Sequence, residues 1–170
     1  MSLNRKFLTC FALLALSGCG FTPLYGGANG NAASAALETV QVGTIPDRTG
    51  QVLRQTLQQD FYMQGAPTQA LYVLSVNYNV AQTGEGVQAD SSTTRTRFMS
   101  EAQWRLSPIG APDKILKSGR AVAMDGLNVI DQQYFATNLE TASVQDRLAK
   151  EIAAQITAQL SVWFHEHPGS

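Results

Sequence analysis

The clearest pattern in the chain is an alternation of apolar and polar residues, which is typical of strands with one buried face. The alternation is strongest over 70–81 and 92–106, and shorter versions occur over 38–45 and 114–124. Each segment predicts one strand, and apolar residues on both sides of 70–81 place that strand at or near the centre of a sheet. We expect these side chains on the buried side of the two long strands: Tyr72, Leu74, Val76, Tyr78, Val80, Phe98, Ala102, Trp104 and Leu106.

Two segments repeat apolar residues at helical spacing. Leu53, Leu57 and Phe61 recur every fourth position after Thr49, which predicts an amphipathic helix that ends before Gly65. A longer helix is predicted to follow Thr137 and Glu140, whose spacing resembles an N-terminal capping box, and to continue to about Phe164. Its buried stripe is formed by Leu148, Ile152, Ile156 and Leu160.

The predicted element order is β-α-β-β-β-α, which favours an α+β fold. Two helices covering one face of a four-stranded mixed sheet would give a two-layer sandwich over 37–165. The β-α-β start favours a right-handed crossover between parallel strands, and the next strands should form an antiparallel meander. The sequence 84–86, with two glycines, predicts a turn, and 166–170 predicts a frayed tail.

The N-terminus carries the three zones of a bacterial secretory signal over 1–18. Arg5 and Lys6 supply positive charge, 7–16 is mainly apolar, and small residues precede Cys19. The sequence Leu-Ser-Gly-Cys at 16–19 resembles the lipobox of bacterial lipoproteins, in which the cysteine is acylated and becomes the first mature residue. The alternatives are a buried structural cysteine and a disulfide with Cys10, but removal of the signal would also remove Cys10.

The segment 19–36 is predicted to hold the anchor, an apolar cluster and a flexible linker. Acyl chains on Cys19 would attach the protein to a membrane, and the residue that follows, Gly20, indicates the outer membrane by the sorting pattern of Gram-negative lipoproteins. The small residues of 26–36 show no periodicity and predict a linker. The cluster suits contact with a membrane or a barrel wall and contains Phe21, Pro23, Leu24 and Tyr25.

Composition and charge narrow the function. The chain of 170 residues has a formal net charge of −1, and loss of Arg5 and Lys6 with the signal makes the mature chain more acidic. We therefore expect no nucleic-acid binding. His165 and His167 near the C-terminus form a poor metal site, and no catalytic group can be singled out. The sequence thus predicts a protein that is not an enzyme and that has no cofactor or metal.

Basic residues on the third and fourth predicted strands are candidates for phosphate contact. Arg95 and Arg97 share the polar side of one strand, and Lys117 and Arg120 lie on the next. Arginine suits bidentate contact with phosphate. The alternative is a solvated strand face with cross-strand ion pairs, such as an arginine with Glu101.

Three sequence segments, together with the element order, resemble the LptE family of lipopolysaccharide-assembly lipoproteins in its alphaproteobacterial form. They are CGFTPLYG at 19–26, TRTRF at 94–98 and NVIDQQYFA at 128–136. The resemblance implies an outer-membrane lipoprotein on the periplasmic side that plugs the LptD β-barrel, assists its assembly and contacts lipopolysaccharide. It favours lipopolysaccharide as the phosphate ligand of Arg95 and Arg97, and Lys117 and Arg120 are further candidates on the neighbouring strand.

Two other functions stay open. A periplasmic lipid-binding auxiliary lipoprotein of an ABC-type lipid transport system would share the anchor but would need an enclosed apolar pocket. A hydrolase would need a convergent polar cleft.

Overall fold

The computed structural model describes residues 28–62, 69–87, 93–128 and 134–168, and the predicted signal, Cys19 and the apolar cluster at 21–25 lie outside these ranges. The described chain contains three helices and four strands. In chain order they are α1 (Ala28–Leu37), β1 (Val40–Val42), α2 (Arg48–Phe61), β2 (Tyr72–Val87), β3 (Thr93–Pro108), β4 (Lys117–Asn128) and α3 (Tyr134–Glu166).

The four strands form one mixed sheet in the order β1-β2-β3-β4. β1 pairs with β2 in parallel over three residues, from Val40 opposite Tyr72 to Val42 opposite Leu74. β2, β3 and β4 form an antiparallel meander. β2 is therefore a central strand where β1 lies beside it, and the predicted α+β fold with helices against a four-stranded mixed sheet is confirmed.

The core lies between one side of the sheet, which we call the inner face, and the helices. Trp104 is 1% exposed, and the predicted stripes of α2 and α3 are buried with it. A Cβ atom on Gly119 of β4 would lie 2.5 Å from the Trp104 ring and 2.6 Å from Oε1 of Gln159 on α3. Only glycine therefore lets the indole and the helix pack this closely against β4.

Helix α1 occupies most of the stretch that the sequence predicted as an unstructured linker. Ala33 and Leu37 of this helix are buried, and α1 packs against α3. Alanine has the highest helix propensity of all residues, so an alanine-rich stretch forms a helix without a wide apolar stripe. This corrects the linker prediction for residues 28–36.

Other boundaries also differ from the predictions. β2 continues through the predicted turn at 84–86. Gly84 pairs with Thr96 in the β2–β3 ladder, and Gly86 lies just before the last pair, Val87 with Thr93. α3 begins at Tyr134, so Thr137 lies inside its first turn and not at its cap. At the other end, Glu166 is helical and the His167 ring stacks on Trp163 at 4.9 Å. Helical structure and side-chain packing therefore continue past the predicted start of the frayed tail at residue 166.

None of the helices in the described ranges is both long and apolar enough to cross a membrane.

Candidate ligand-binding face of the sheet

The side of the sheet that faces away from the helices, which we call the outer face, holds most of the predicted phosphate-contact residues. In β2 and β3 the odd-numbered residues lie on this face, and in β4 the even-numbered residues lie opposite them. Alternation along a strand sets this arrangement, since successive side chains point to opposite sides. The outer face therefore presents rows of side chains that run along each strand and across to its neighbours.

Arg95 and Arg97 lie together at one end of the outer face. Both are exposed, and their separation of two residues along β3 corresponds to about 7 Å. A Cβ atom on Gly126 of β4 would lie 3.6 Å from Nε and 3.8 Å from Nη2 of Arg95, so the guanidinium lies over this glycine. In the described part of the chain, no ion pair is formed by Arg95. We call Arg95 and Arg97 the arginine row.

Arg120 lies on the same face but far from the arginine row. It pairs across the strands with Gln103, which is six residues from Arg97 and thus about 20 Å along β3. Its guanidinium makes a bidentate contact with Glu101, with Nε to Oε1 at 2.8 Å and Nη2 to Oε2 at 2.8 Å. The cross-strand pair predicted as the alternative is therefore present at Arg120.

The pKa of the Glu101 carboxyl is held below its ordinary value of 4.5 by its surroundings. The largest cause is the hydrogen bond that Gln103 Nε2 donates to Oε1 at 3.2 Å, followed by the hydrogen bond from Arg120. Glu101 therefore stays ionised at neutral pH, and its charge offsets that of Arg120. Arg120 is a weaker anion ligand than its sequence position alone indicates.

Lys117 lies on the other side of the sheet. It pairs with Leu106, a fully buried residue of the inner face, and residues directly opposite each other share a face. Lys117 and Arg120 are an odd number of residues apart in β4. Their side chains therefore point to opposite faces of the sheet, because successive side chains of a strand alternate between the faces. The four basic residues predicted from the sequence therefore do not form one site, and only Arg95 and Arg97 lie next to each other.

Beside the arginine row lies an apolar row that the sequence analysis did not single out. Met99 and Met124 face each other directly across β3 and β4, with Ala81 beside Met99 on β2. Met99 is 44% exposed and Met124 is 62% exposed. The signal in the sequence is that β3 and β4 each carry a methionine at a position where the alternation predicts a polar residue.

A shallow depression lies at the opposite end of the outer face from the arginine row. Its volume is about 660 Å³, and it includes Arg105, an exposed residue of β3. Hydroxyl, amide and guanidinium side chains line it from the outer face, so the depression offers hydrogen-bonding groups, and it is open to solvent. Its other outer-face side chains are Ser75, Asn77, Gln103, Ser118 and Arg120.

Within 28–62, 69–87, 93–128 and 134–168, no three His, Cys, Asp or Glu side chains lie close enough to hold a metal ion. The ring nitrogen Nδ1 of His167 lies 2.9 Å from the carbonyl oxygen of Trp163. The predicted lipidation site Cys19 and the predicted barrel or membrane contacts Phe21, Pro23, Leu24 and Tyr25 lie outside the described residues.

Comparison with known proteins found no family model and no curated protein that matches this chain. Solved structures do match. A Caulobacter crescentus protein described as a lipoprotein superimposes with a TM-score of 0.63 at 24% identity, covering 78% of this chain and 96% of that chain. A minor lipoprotein from Acinetobacter baumannii gives a TM-score of 0.58 at 18% identity, covering 74% and 92%.

The rare lipoprotein B from Shewanella oneidensis is also similar, with a TM-score of 0.55 at 8% identity, covering 73% of this chain and 94% of that chain. At these identities the likeness shows the fold. The α+β architecture described above is thus shared with bacterial proteins that are named as lipoproteins.

Proposed function

We propose that this chain is a lipoprotein of the bacterial envelope, anchored through Cys19, that acts without catalysis in lipopolysaccharide assembly at the outer membrane. Its proposed partner is the LptD β-barrel, which it plugs and helps to assemble, and its proposed ligand is lipopolysaccharide. The observation that carries the ligand proposal is the arginine row, Arg95 and Arg97, beside the exposed apolar row of Met99 and Met124.

The anchor is supported by two independent features. The sequence 1–19 has a basic zone, an apolar zone and a lipobox-like end in the order that a lipoprotein signal requires. The solved structures that share the fold are described as lipoproteins. A stable anchor needs more than one acyl chain, which lipoproteins carry.

The arrangement of the outer face supports a phosphorylated amphiphile as the ligand. Arginine forms charge-assisted, bidentate hydrogen bonds with phosphate, and methionine side chains are flexible and adapt to irregular apolar surfaces. The two rows lie next to each other on β3, so one molecule with a phosphorylated head and acyl chains can reach both. By contrast, the depression around Arg105 is open to solvent, which does not favour the alternative of an enclosed lipid carrier.

Purification of the tagged full-length chain from envelope membranes tests the anchor and the partner. We expect mass spectrometry to find acyl chains on Cys19 and a large β-barrel to copurify. Cys19→Ala should abolish the acylation, because the thioether needs the cysteine sulfur. Recovery of unmodified Cys19 in the mature protein would refute the anchor, and recovery of an inner-membrane transporter in place of a barrel would favour the auxiliary lipid carrier.

Capture of lipopolysaccharide by the purified mature chain tests the ligand. We expect Arg95→Glu/Arg97→Glu to weaken capture at low salt, and we expect added salt to weaken capture by the unmodified chain, since exposed charges are screened. Lys114→Glu/Lys150→Glu makes the same change in net charge at exposed residues of a turn and of α3 and serves as the control. Equal capture by the two double variants, both shown to be folded by circular dichroism, would exclude a specific role for the arginine row.

A further inference from the structure

The outer edge of β4 is closed by side chains of α3. Gln155 bonds the Val122 backbone twice, since its Nε2 donates to the carbonyl at 3.0 Å and its Oε1 accepts from the amide at 3.2 Å. One turn later, Gln159 Nε2 donates to the carbonyl of Arg120 at 3.2 Å. At Arg120 and Val122, the edge that a further strand would use is therefore occupied by glutamine amides, which imitate a neighbouring backbone.

The outer edge of β1 is closed in the same manner by α2 and the residue that follows it. The Tyr62 hydroxyl donates to the carbonyl of Val40 at 2.8 Å. Arg54 Nε donates to the carbonyl of Val42 at 3.4 Å. Both outward-facing carbonyls of this short strand therefore have partners.

A third edge is left open where β1 ends. β1 pairs with β2 only as far as Leu74, whereas β2 continues to Val87 with β3 on its other side. The bonds from Tyr72 N to Thr39 O and from Gly43 N to Leu74 O show that even-numbered residues of β2 point their backbone groups toward β1. Beyond Leu74, no described residue bonds these groups. The open positions are Val76, Tyr78, Val80 and Gln82.

Within the part of the chain that the structure describes, this open edge lacks the devices that usually prevent edge-to-edge association. Native edges are commonly protected by charged residues, proline, bulges or a covering element. The sequence 76–84, Val-Asn-Tyr-Asn-Val-Ala-Gln-Thr-Gly, contains no charged residue and no proline. The same fold that closes two edges with helix side chains therefore leaves a long uncharged edge available.

We propose that the open edge of β2 binds an extended segment of the barrel partner, which continues the line of β1 and adds a strand beside residues 76–82. Main-chain hydrogen bonds supply most of the affinity in this mode of recognition, and alternate side chains supply the specificity. The identity of the partner rests on the proposed function, whereas the open edge is a feature of this chain.

The side chains along the edge define the chemistry of the segment. On the inner face it meets Val76, Tyr78 and Val80, and on the outer face it meets the amides of Asn77 and Asn79. The fitting segment is uncharged and alternates apolar with polar residues. Strands of outer-membrane barrels alternate in this way along their whole length, so a segment of such a chain that is not already paired within the closed barrel is a suitable donor.

A photo-reactive amino acid at Asn79 of the full-length chain, used in cells that make the envelope partner, tests the proposal. We expect a cross-link from Asn79 to the barrel that depends on the open edge, and a probe at Lys150, which is exposed on α3, serves as the reference for contact with the barrel elsewhere. Gln82→Pro removes an amide that faces the open edge and leaves the β2–β3 hydrogen bonds in place, as edge prolines do. It should lower the cross-link yield roughly tenfold, while Gln82→Ala leaves it unchanged.

Three results would overturn the proposal: a yield from Asn79 that Gln82→Pro leaves unchanged, a product with the mass of two copies of this chain, or an equal loss of cross-linking from Lys150 in the Gln82→Pro variant. Circular dichroism and the thermal midpoint must match between the proline and alanine variants, so that unfolding is not the cause. If the barrel copurifies but the edge does not cross-link, the inference fails and the proposed function stands. If a proline-sensitive cross-link forms with a protein that is not a barrel, strand addition stands and the proposed function fails.

Discussion

The two faces of β3 are made from one alternating sequence and yet differ in almost every physical respect. On the inner face, Phe98, Ala102, Trp104 and Leu106 are at most 1% exposed. On the outer face, the neighbours of these residues are arginines, Met99, Glu101 and Gln103, nearly all exposed. A strand that carries both sets has its register fixed by the inner set, because a slip of one residue would bury the arginines.

This difference separates the residues that determine the fold from those that form the exposed surface. Inner-face side chains pack against helices, so their size and shape are constrained to within a methylene group. Outer-face side chains meet solvent and tolerate substitution at little cost in stability. A binding surface on the outer face can therefore change without rebuilding the core.

The largest expected effect that tests this comparison is at Trp104. Trp104→Ala should lower the free energy of unfolding by about 3–5 kcal/mol, because it leaves a large cavity between the sheet and α3. Met99→Ala, on the outer face of the same strand, should change it by less than about 0.5 kcal/mol. Urea denaturation of both variants measures the two values. Similar losses at both positions would mean that the outer face is covered and not free.

Glycines of β4 offer a second matched pair. Gly119→Ala should lower stability by about 1–3 kcal/mol, since overpacking costs this much where neighbours cannot move, and its Cβ would lie 2.5 Å from the Trp104 ring. Gly126→Ala on the outer face would meet the Thr96 carbonyl oxygen at 3.1 Å. Alanine gains about 0.5–1 kcal/mol of backbone entropy over glycine, so we expect a net change near zero. Thermal unfolding of both variants distinguishes the faces, and an equal loss would contradict the packing described.

The smallest expected effect concerns the charge pair on the outer face. Because the pKa of Glu101 is lowered, its ionised form stabilises the fold above the ordinary value of 4.5 and loses this contribution as the pH falls through the lowered pKa. We expect the wild-type chain to exceed Glu101→Gln slightly in stability at pH 7, and the difference to become smaller at pH 3. Urea midpoints at the two pH values measure it. A difference that grows on acidification would contradict the sign of the shift.

The sequence predicted the fold well where the periodicity was strong. The inner-face residues of β2 and β3 and the stripes of α2 and α3 are where the alternation and the helical spacing placed them. α1 was missed because alanine-rich helices need no apolar stripe. The strand through Gly84 was missed because glycines normally mark turns, and here the β2–β3 ladder supplies enough hydrogen bonds to carry the strand through them.

Predicting the candidate site was harder, because it depends on how strands are paired and not on any one strand. The sequence grouped Lys117 with Arg120, and parity within β4 separates them. The sequence also could not show that Glu101 forms an ion pair with Arg120, because the β3–β4 register decides which arginine lies beside it. The Met99–Met124 pair and the open edge of β2 likewise follow from registers that a single sequence does not contain.

The brevity of β1 has a consequence for the order in which the chain folds. The β2–β3–β4 meander joins strands that are neighbours in sequence, whereas the parallel pairing of Val40 with Tyr72 must close a loop that contains the whole of α2. Closing a loop costs entropy before its contacts form, and three paired residues return little. We therefore expect β1 to join the sheet last. Until it does, the edge of β2 is exposed along its full length, and a newly made chain is most prone to aggregate during that interval.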